Sequence, residues 1–210
     1  MNKSSWFAIV NPASANSQTR KIWPKVYKRL LDQKIDLDYA YTAGPGEATT
    51  LTRQALHNYT RILSVGGDGT LNEVVNGFFE NKQPINPEAS LAIFSHGTGA
   101  DFLRSLNQKR GLPSLLEILH REQITPVDCG LAQYQDASGM LHHRYFLNVA
   151  NLHYRPAFRF PRTRWRTSRI YTSSLFLDPS RNSTLDLADT DGTLGIGVSS
   201  LFCVPDTFSI

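Results

Sequence analysis

Trp6-Phe7-Ala8-Ile9-Val10 is an unbroken apolar run brought to a stop by Asn11-Pro12. A strand that is apolar on both faces needs cover on both, and a parallel sheet between helices supplies it. The rest of the first half fits that demand. Trp23, Val26, Tyr27, Leu30 and Leu31 recur at helical spacing, predicting an amphipathic helix near residues 18–33. Leu37 to Thr42 reads as a second strand, Gly44-Pro45-Gly46 as a turn and Glu47 to His57 as a helix. Arg61-Ile62-Leu63-Ser64-Val65 is a third strand, ended by two glycines. Behind them Leu71, Val74, Val75, Phe78 and Phe79 keep a helical period, and Thr70 and Glu73 are spaced as a capping box at its start. A fourth strand, Ser90 to Phe94, is followed by helices near 100–106 and 112–121. Strands alternating with helices predict an α/β domain over residues 1–124.

The pattern changes near Thr125. Val127 to Tyr134 and Arg144 to Val149 read as paired strands around the turn-rich link Asp136-Ala137-Ser138-Gly139. Residues 125–210 are therefore expected to form a β-rich second domain, whose regularity fades after Leu152. Arg155, Arg159, Arg162, Arg164, Arg166 and Arg169 crowd together there with Phe158, Phe160 and Trp165. Such a run either holds anionic lipid headgroups, at about 1 kcal/mol per basic residue near the surface, or is a solvated tail. The chain's 210 residues suit one large or two small domains, with 40% hydrophobic content sufficient for a buried core. A net charge of +4 favours anionic partners without choosing among them. Cys129 and Cys203 are too few for a disulfide framework, form no CxxC pair, and read as free buried thiols. The N-terminus lacks the apolar core of a signal peptide, and no apolar run approaches the ~20 residues of a membrane span, which places the chain in the cytoplasm. The sequons at Asn58 and Asn182 carry no meaning there.

Chemistry concentrates in Val65-Gly66-Gly67-Asp68-Gly69-Thr70, between a strand and a helix at the carboxyl end of the expected sheet. Glycines allow positive φ and let backbone N–H groups approach an anion, and the helix that follows offers the positive end of its dipole. A phosphate fits such a loop. Asp68 is itself anionic, which suggests a base accepting a hydroxyl proton or an indirect magnesium contact. The alternative is a tight strand–helix turn in which Asp68 makes only local backbone bonds. No Walker-type Gly-Lys-Ser/Thr ending is present, and no GxGxxG follows the first strand. The histidines show no zinc spacing, and His142-His143 reads as an exposed strand edge.

Gly66-Gly67-Asp68-Gly69-Thr70-Leu71-Asn72-Glu73-Val74 resembles the signature of the diacylglycerol kinase catalytic domain family, which includes sphingosine kinases and bacterial lipid kinases. Ile9-Val10-Asn11-Pro12 resembles that family's opening strand and turn, and Thr42 ahead of Gly46-Glu47-Ala48 its second nucleotide element. Gly97-Thr98-Gly99-Ala100-Asp101-Phe102-Leu103-Arg104, Val127-Asp128 and Phe146-Leu147-Asn148-Val149-Ala150 continue the likeness, which covers residues 5–151. The resemblance implies a Rossmann-like, NAD-kinase-like α/β domain followed by the start of an incomplete β-sandwich domain. It implies that Gly66, Gly67, Gly69, Thr70 and Asn72 line the phosphates of ATP, that Asn11, Thr42 and Thr98 complete the nucleotide site, and that Glu73 caps its helix. Asp68 would act on the acceptor hydroxyl. The implied reaction moves the γ-phosphoryl group of ATP, with Mg²⁺, onto a lipid hydroxyl, largely by positioning and charge neutralisation.

Three departures from the family pattern stand out. Ala100 takes the place of a usual Asn, and Ser95-His96 the place of a Pro-hydrophobic pair. After Ala150 the family continues with a glycine-containing segment and a long helical stretch, where this chain has Asn151-Leu152-His153-Tyr154-Arg155. Relatives are longer and finish a β-sandwich that supplies metal-binding and proton-removing residues. Asp191-Gly192 resembles an Asp-Gly element of that domain, which makes Asp191 the metal candidate. The abrupt loss of pattern suggests an altered reading frame or gene end near residue 152; the coding DNA read in its other two frames tests it, and if neither encodes a β-sandwich the tail is simply divergent. The implied partners are ATP and a lipid substrate, with transient contact with a membrane surface and no nucleic acid. Two alternatives stay open: a small-molecule kinase like the NAD kinases, whose Gly-Gly-Asp-Gly loop is similar, and an inactive truncated nucleotide-binding module.

Overall fold

The computed structural model describes residues 3–95, 102–103, 106, 108–121, 124–125, 127, 129–135, 138–147 and 198–204. Contacts divide the chain into two compact units, the first running to Cys129 and the second beginning at Gly130.

The first unit is built on a parallel sheet of β1 (Lys3–Val10), β2 (Leu37–Tyr41), β3 (Tyr59–Gly66) and a later strand, Ser90–Ser95. Between them run α1 (Gln18–Asp32), α2 (Glu47–Leu56) and α3 (Asp68–Gly77), and α4 (Leu112–Arg121) follows the last. A short hairpin of β4 (Phe79–Glu80) and β5 (Gln83–Pro84) precedes that strand, which becomes β6. The order across the sheet is β2-β1-β3-β6. The α/β architecture expected from the apolar first strand is therefore present.

Alternation along each strand sorts the core into two layers. Ala8, Val10, Leu37, Leu63, Val65, Ala92 and Phe94 pack with Trp23, Val26 and Leu30 of α1 and Leu115 and Leu119 of α4. The intervening residues Ile9, Ile62, Leu91 and Ile93 are buried as well, and α2 and α3 pack against β1 and β3. Trp23, Leu30, Leu63 and Val65 are each wholly buried. Burying a side chain of that size contributes about 1.5–3 kcal/mol.

Three expectations are corrected here. The helical period does not continue through Phe78 and Phe79, because α3 ends at Gly77. Both phenylalanines are buried instead around the hairpin, whose turn residues Asn81 and Lys82 have φ of 50° and 63°. Two successive left-handed residues suit a two-residue hairpin loop. Gly77 itself lets α3 approach α2, since a Cβ there would lie 2.5 Å from the Thr52 Cβ and 2.7 Å from the Thr49 carbonyl oxygen. Second, the capping box is absent: α3 begins at Asp68 behind Gly67, with no side-chain cap. Third, Glu73 is therefore not a cap, and its carbonyl accepts from the Thr49 hydroxyl at 2.8 Å.

In the second unit β7 (Cys129–Gln135) and β8 (Leu141–Phe146) run antiparallel, and β9 (Val198–Val204) makes the order β8-β7-β9. β9 lies beyond the point where sequence regularity fades. Gly130 is obligatory in its place, because a Cβ would stand 2.3 Å from the Phe146 ring. His142 and His143 lie on the outer strand β8, with His143 exposed. Cys129 is wholly buried. No helix among the described residues is long and apolar enough to cross a membrane.

Candidate functional site

The sheet order places a topological switch between β1 and β3: the chain leaves β1 toward β2 on one side and returns to β3 on the other. Connections that diverge at such a point open a crevice at the carboxyl ends of the strands. Val10 pairs with Tyr41 on one side and Val65 on the other, so the ends of β1, β2 and β3 are level. Two backbone bonds join them. The Thr42 N–H donates to the Val10 carbonyl at 2.9 Å, and the Asn11 N–H donates to the Val65 carbonyl at 2.9 Å. Asn11, Thr42 and the Gly66–Thr70 loop thus share one edge of the sheet.

The glycines of the loop work differently from the expectation of positive φ. Gly66, Gly67 and Gly69 are absent from the positive-φ glycines, and Gly67 is extended at φ −100° and ψ −171°. Gly66 is required by packing, because a Cβ on it would lie 2.4 Å from the Thr70 Oγ1 and 2.6 Å from the Thr70 Cβ. Gly67 and Gly69 have nothing within 4 Å of where a Cβ would project. Their bare backbone faces open space, which leaves room for an anion to approach. The first intrahelical bond runs from the Leu71 N–H to the Gly67 carbonyl at 3.0 Å. The N–H groups of a helix's first turn have no acceptor within the helix and carry its positive dipole end. Gly69 is exposed beside Asp68, so that end of α3 reaches solvent.

Asn11 holds this arrangement. Its side-chain amide donates to the Thr70 hydroxyl at 2.9 Å, and its Oδ1 accepts from the Ala13 N–H at 3.0 Å. Thr70, only 5% exposed, thereby receives one bond and keeps its own proton to donate. The Ser14 hydroxyl donates to the Asn11 carbonyl at 2.9 Å, and Ser14 Oγ lies 2.5 Å from Thr19 Oγ1 in wholly buried Thr19. The loop between β1 and α1 passes through three successive left-handed residues, Ala15, Asn16 and Ser17, at φ 53°, 55° and 63°. Each non-glycine residue there costs about 1–2 kcal/mol. Bonds from the Ser17 N–H to the Ala13 carbonyl (3.1 Å) and the Gln18 N–H to the Ala15 carbonyl (3.2 Å) hold the run in place.

Of the residues singled out from the sequence, Asn11, Thr42, Gly66, Gly67, Asp68, Gly69, Thr70 and Asn72 lie at this edge or in the first turns of α3. Asp68 is exposed at the first position of α3, where the helix dipole favours a negative charge. The Asn72 carbonyl accepts from the Asn76 amide at 2.7 Å. Thr98, Asp191, Ala100 and the arginine run from Arg155 to Arg169 lie outside the described residues. Ser14 and Thr19 carry no recognisable signal in the sequence beyond the Asn-Pro turn ahead of them, and nothing in their spacing links them to Thr70.

No group of three or more His, Cys, Asp and Glu able to hold a metal gathers among the described residues. Asp68 is the acidic residue in the first turn of α3. A single exposed carboxylate can contact a magnesium ion that draws its other ligands from phosphate oxygens and water rather than from an all-protein cage.

The family model for the diacylglycerol kinase catalytic domain matches residues 5–132. A diacylglycerol kinase of Staphylococcus saprophyticus is 34% identical over 143 residues, covering 68% of this chain and 43% of that protein. A diacylglycerol kinase of Staphylococcus aureus is 33% identical over 143 residues, covering 68% of this chain and 41% of the relative. Among solved structures, a diacylglycerol kinase from Bacillus anthracis superposes with a TM-score of 0.56 at 26% identity, over 71% of this chain and 46% of the other. The chain thus spans about two-fifths of the length of the curated relatives it matches.

Proposed function

The chain belongs to the diacylglycerol kinase catalytic domain family, and we propose that it carries the nucleotide site of a lipid kinase that transfers the γ-phosphoryl group of ATP to a lipid hydroxyl. The observation that carries this reading is the meeting of Asn11, Thr42 and the Gly66–Thr70 loop at the switch point of the sheet. Residues 1–124 form the nucleotide-binding catalytic domain in this proposal, and residues 125–210 part of a β-rich second domain.

Gly66, Gly67, Gly69, Thr70 and Asn72 line the phosphates, with Asn11, Thr42 and Thr98 completing the site. Gly67 and Gly69 present backbone without side chains, and Thr70 donates its hydroxyl proton to a phosphate oxygen. Asn11 positions Thr70. Asp191 would be the candidate to hold magnesium, with at most an indirect contact from Asp68, and the ion would supply neutralisation of phosphate charge. Asp68 accepts the proton of the lipid hydroxyl as that oxygen attacks.

A lipid acceptor requires contact with a bilayer at least transiently. The exposed side of α1 supports such contact, since Arg20, Lys21, Lys25, Lys28 and Arg29 all lie on it. In this proposal the chain works in the cytoplasm, where ATP is available.

Radiolabelled ATP supplied with diacylglycerol, sphingosine and NAD, resolved by thin-layer chromatography, tests the proposal. Label in a lipid band is expected. Label in NAD alone would move the chain to the small-molecule kinases, and failure to bind ATP would overturn the nucleotide site. A second reading, a nucleotide-binding module that binds ATP without turnover, is the outcome if ATP binds and no label reaches any acceptor.

A further inference from the structure

Ser95 closes β6, and its Cα is in register with Gly66 across the β3–β6 pair. Its hydroxyl oxygen is buried and has no hydrogen-bond partner. A buried polar atom left unpaired is costly and calls for an explanation. Among the described residues two other atoms share the condition, Ser5 Oγ and Trp23 Nε1. They differ in place: Ser5 lies in the first half of β1, and Trp23 is on the core-facing side of α1. Ser95 alone of the three stands at the carboxyl edge of the sheet, beside the glycine against which Thr70 packs.

Alternation along β6 decides which layer Ser95 belongs to. Ala92 and Phe94 join the α1–α4 layer, so Ser95, like Ile93, belongs to the opposite one. Gly66 is in the same register position on β3, and α3 rises from that side through Thr70. Ser95 and Thr70 therefore flank Gly66 on one face of the sheet. Thr70 has its oxygen satisfied by Asn11 and a proton to donate, and Ser95 has an oxygen and a proton both uncommitted.

Resting on the nucleotide reading above, we propose that Ser95 is an additional phosphate-binding residue of this chain, its hydroxyl donating to a non-bridging oxygen of the bound polyphosphate. The ligand supplies the partner that the folded chain alone does not.

The variants Ser95→Ala and Ser95→Thr in the 210-residue chain test this, with Mg-ATP titrated calorimetrically and melting followed without ligand. Ser95→Ala is expected to melt at or above the wild-type temperature without ligand, because it deletes an unpaired buried atom. The same variant should bind Mg-ATP about tenfold more weakly, the size of one hydrogen bond to a charged group. Ser95→Thr keeps the hydroxyl and should bind within about threefold of wild type, against the same scale. A clear drop in the ligand-free melting temperature of Ser95→Ala would assign the hydroxyl a structural partner and overturn the proposal. So would equal Mg-ATP affinity in Ser95→Ala and wild type, with the nucleotide site left standing. Failure of the wild-type chain to bind Mg-ATP removes the nucleotide reading, and this proposal with it.

Discussion

The side-chain amide of Asn11 donates to the hydroxyl of Thr70 across 2.9 Å, joining the end of β1 to the first turn of α3 over a separation of 59 residues. The two crossovers diverge at this point, so no local segment of chain fixes the distance between the β1–α1 loop and the start of α3. Asn11 does so with both ends of its amide engaged, the oxygen by the Ala13 N–H and the nitrogen by Thr70. The width of the crevice depends on that bond.

Replacing Asn11 separates its mechanical and electrostatic contributions. Asn11→Ala removes both side-chain bonds and should lower unfolding free energy by about 1–3 kcal/mol, read from the denaturant midpoint. Asn11→Asp can keep a bond by accepting the Thr70 proton, so its stability should stay closer to wild type. It also adds a negative charge beside a phosphate site, and Mg-ATP affinity should fall further than in Asn11→Ala. Similar affinities in the two variants would argue against an anion site at this edge.

The three glycines of the loop should respond differently to alanine. Gly66→Ala drives a methyl group into Thr70, at 2.4 Å from Oγ1, and should destabilise by about 1–3 kcal/mol or more. Gly67→Ala and Gly69→Ala meet nothing within 4 Å and should change stability little, by about 0.5 kcal/mol for Gly67. Gly69→Ala lies in the first turn of α3 and gains helix propensity, up to about 1 kcal/mol. Both should nonetheless weaken Mg-ATP binding, because the new methyl occupies the approach to the backbone. Urea midpoints and calorimetric titration together read these outcomes.

Much of this edge was legible in the sequence because it is specified locally. The apolar run Trp6–Val10 demanded a covered sheet, and the glycine pair after Val65 marked the strand–helix junction. What escaped depended on contacts between distant segments. Thr70 has the spacing of a capping residue, yet its hydroxyl oxygen accepts from the amide of Asn11, a residue of another crossover. Phe78 and Phe79 continue the helical period but are buried by a hairpin, since Gly77 ends α3 where it meets α2. Gly66 looks like a flexible residue and is in fact a packing one. Asn81 and Lys82 lack the glycine that usually announces a two-residue hairpin turn.

Ala15 sits at φ 53° at the start of a left-handed run of three residues beside the site. Glycine adopts that conformation without the steric cost of a Cβ, at some loss of unfolded-state restriction. Ala15→Gly should therefore raise stability by about 0.5–1 kcal/mol net, measured by thermal or urea unfolding. A loss of stability would show that the Ala15 methyl makes contacts that outweigh its backbone strain.

Alkaline pH has a defined target in Tyr59. Its hydroxyl donates to Asp38 Oδ2 at 2.5 Å, and that bond, with burial and the charge of Asp38 adding to it, pushes its pKa from 10.0 up to about 12. A raised pKa means that the folded state favours the protonated phenol. The stabilisation is complete below pH 10 and is lost as pH rises from there through about 12. In a spectrophotometric titration of tyrosinate, the Tyr59→Phe variant should lose absorbance change at the alkaline end of the curve. Asp38→Asn should move that component toward pH 10. Loss of a component titrating near 10 in Tyr59→Phe would contradict the assignment.

Asp68 is the residue on which transfer chemistry depends in the proposed function. It stands exposed at the first position of α3, so Asp68→Asn removes a charge without opening a cavity. The lost interaction with the helix dipole should cost only about 0.3–1 kcal/mol of stability. Mg-ATP binding should be retained, because one negative charge beside the phosphates has been deleted. Phosphoryl transfer to lipid should fall by about 10²–10⁴-fold, the usual contribution of a positioned base. The measurement is initial rate against lipid concentration, in a preparation whose wild type turns over. A variant that keeps its kcat would place the proton acceptor elsewhere in the protein, and a variant that loses ATP binding instead would make Asp68 a ligand-binding residue rather than a base.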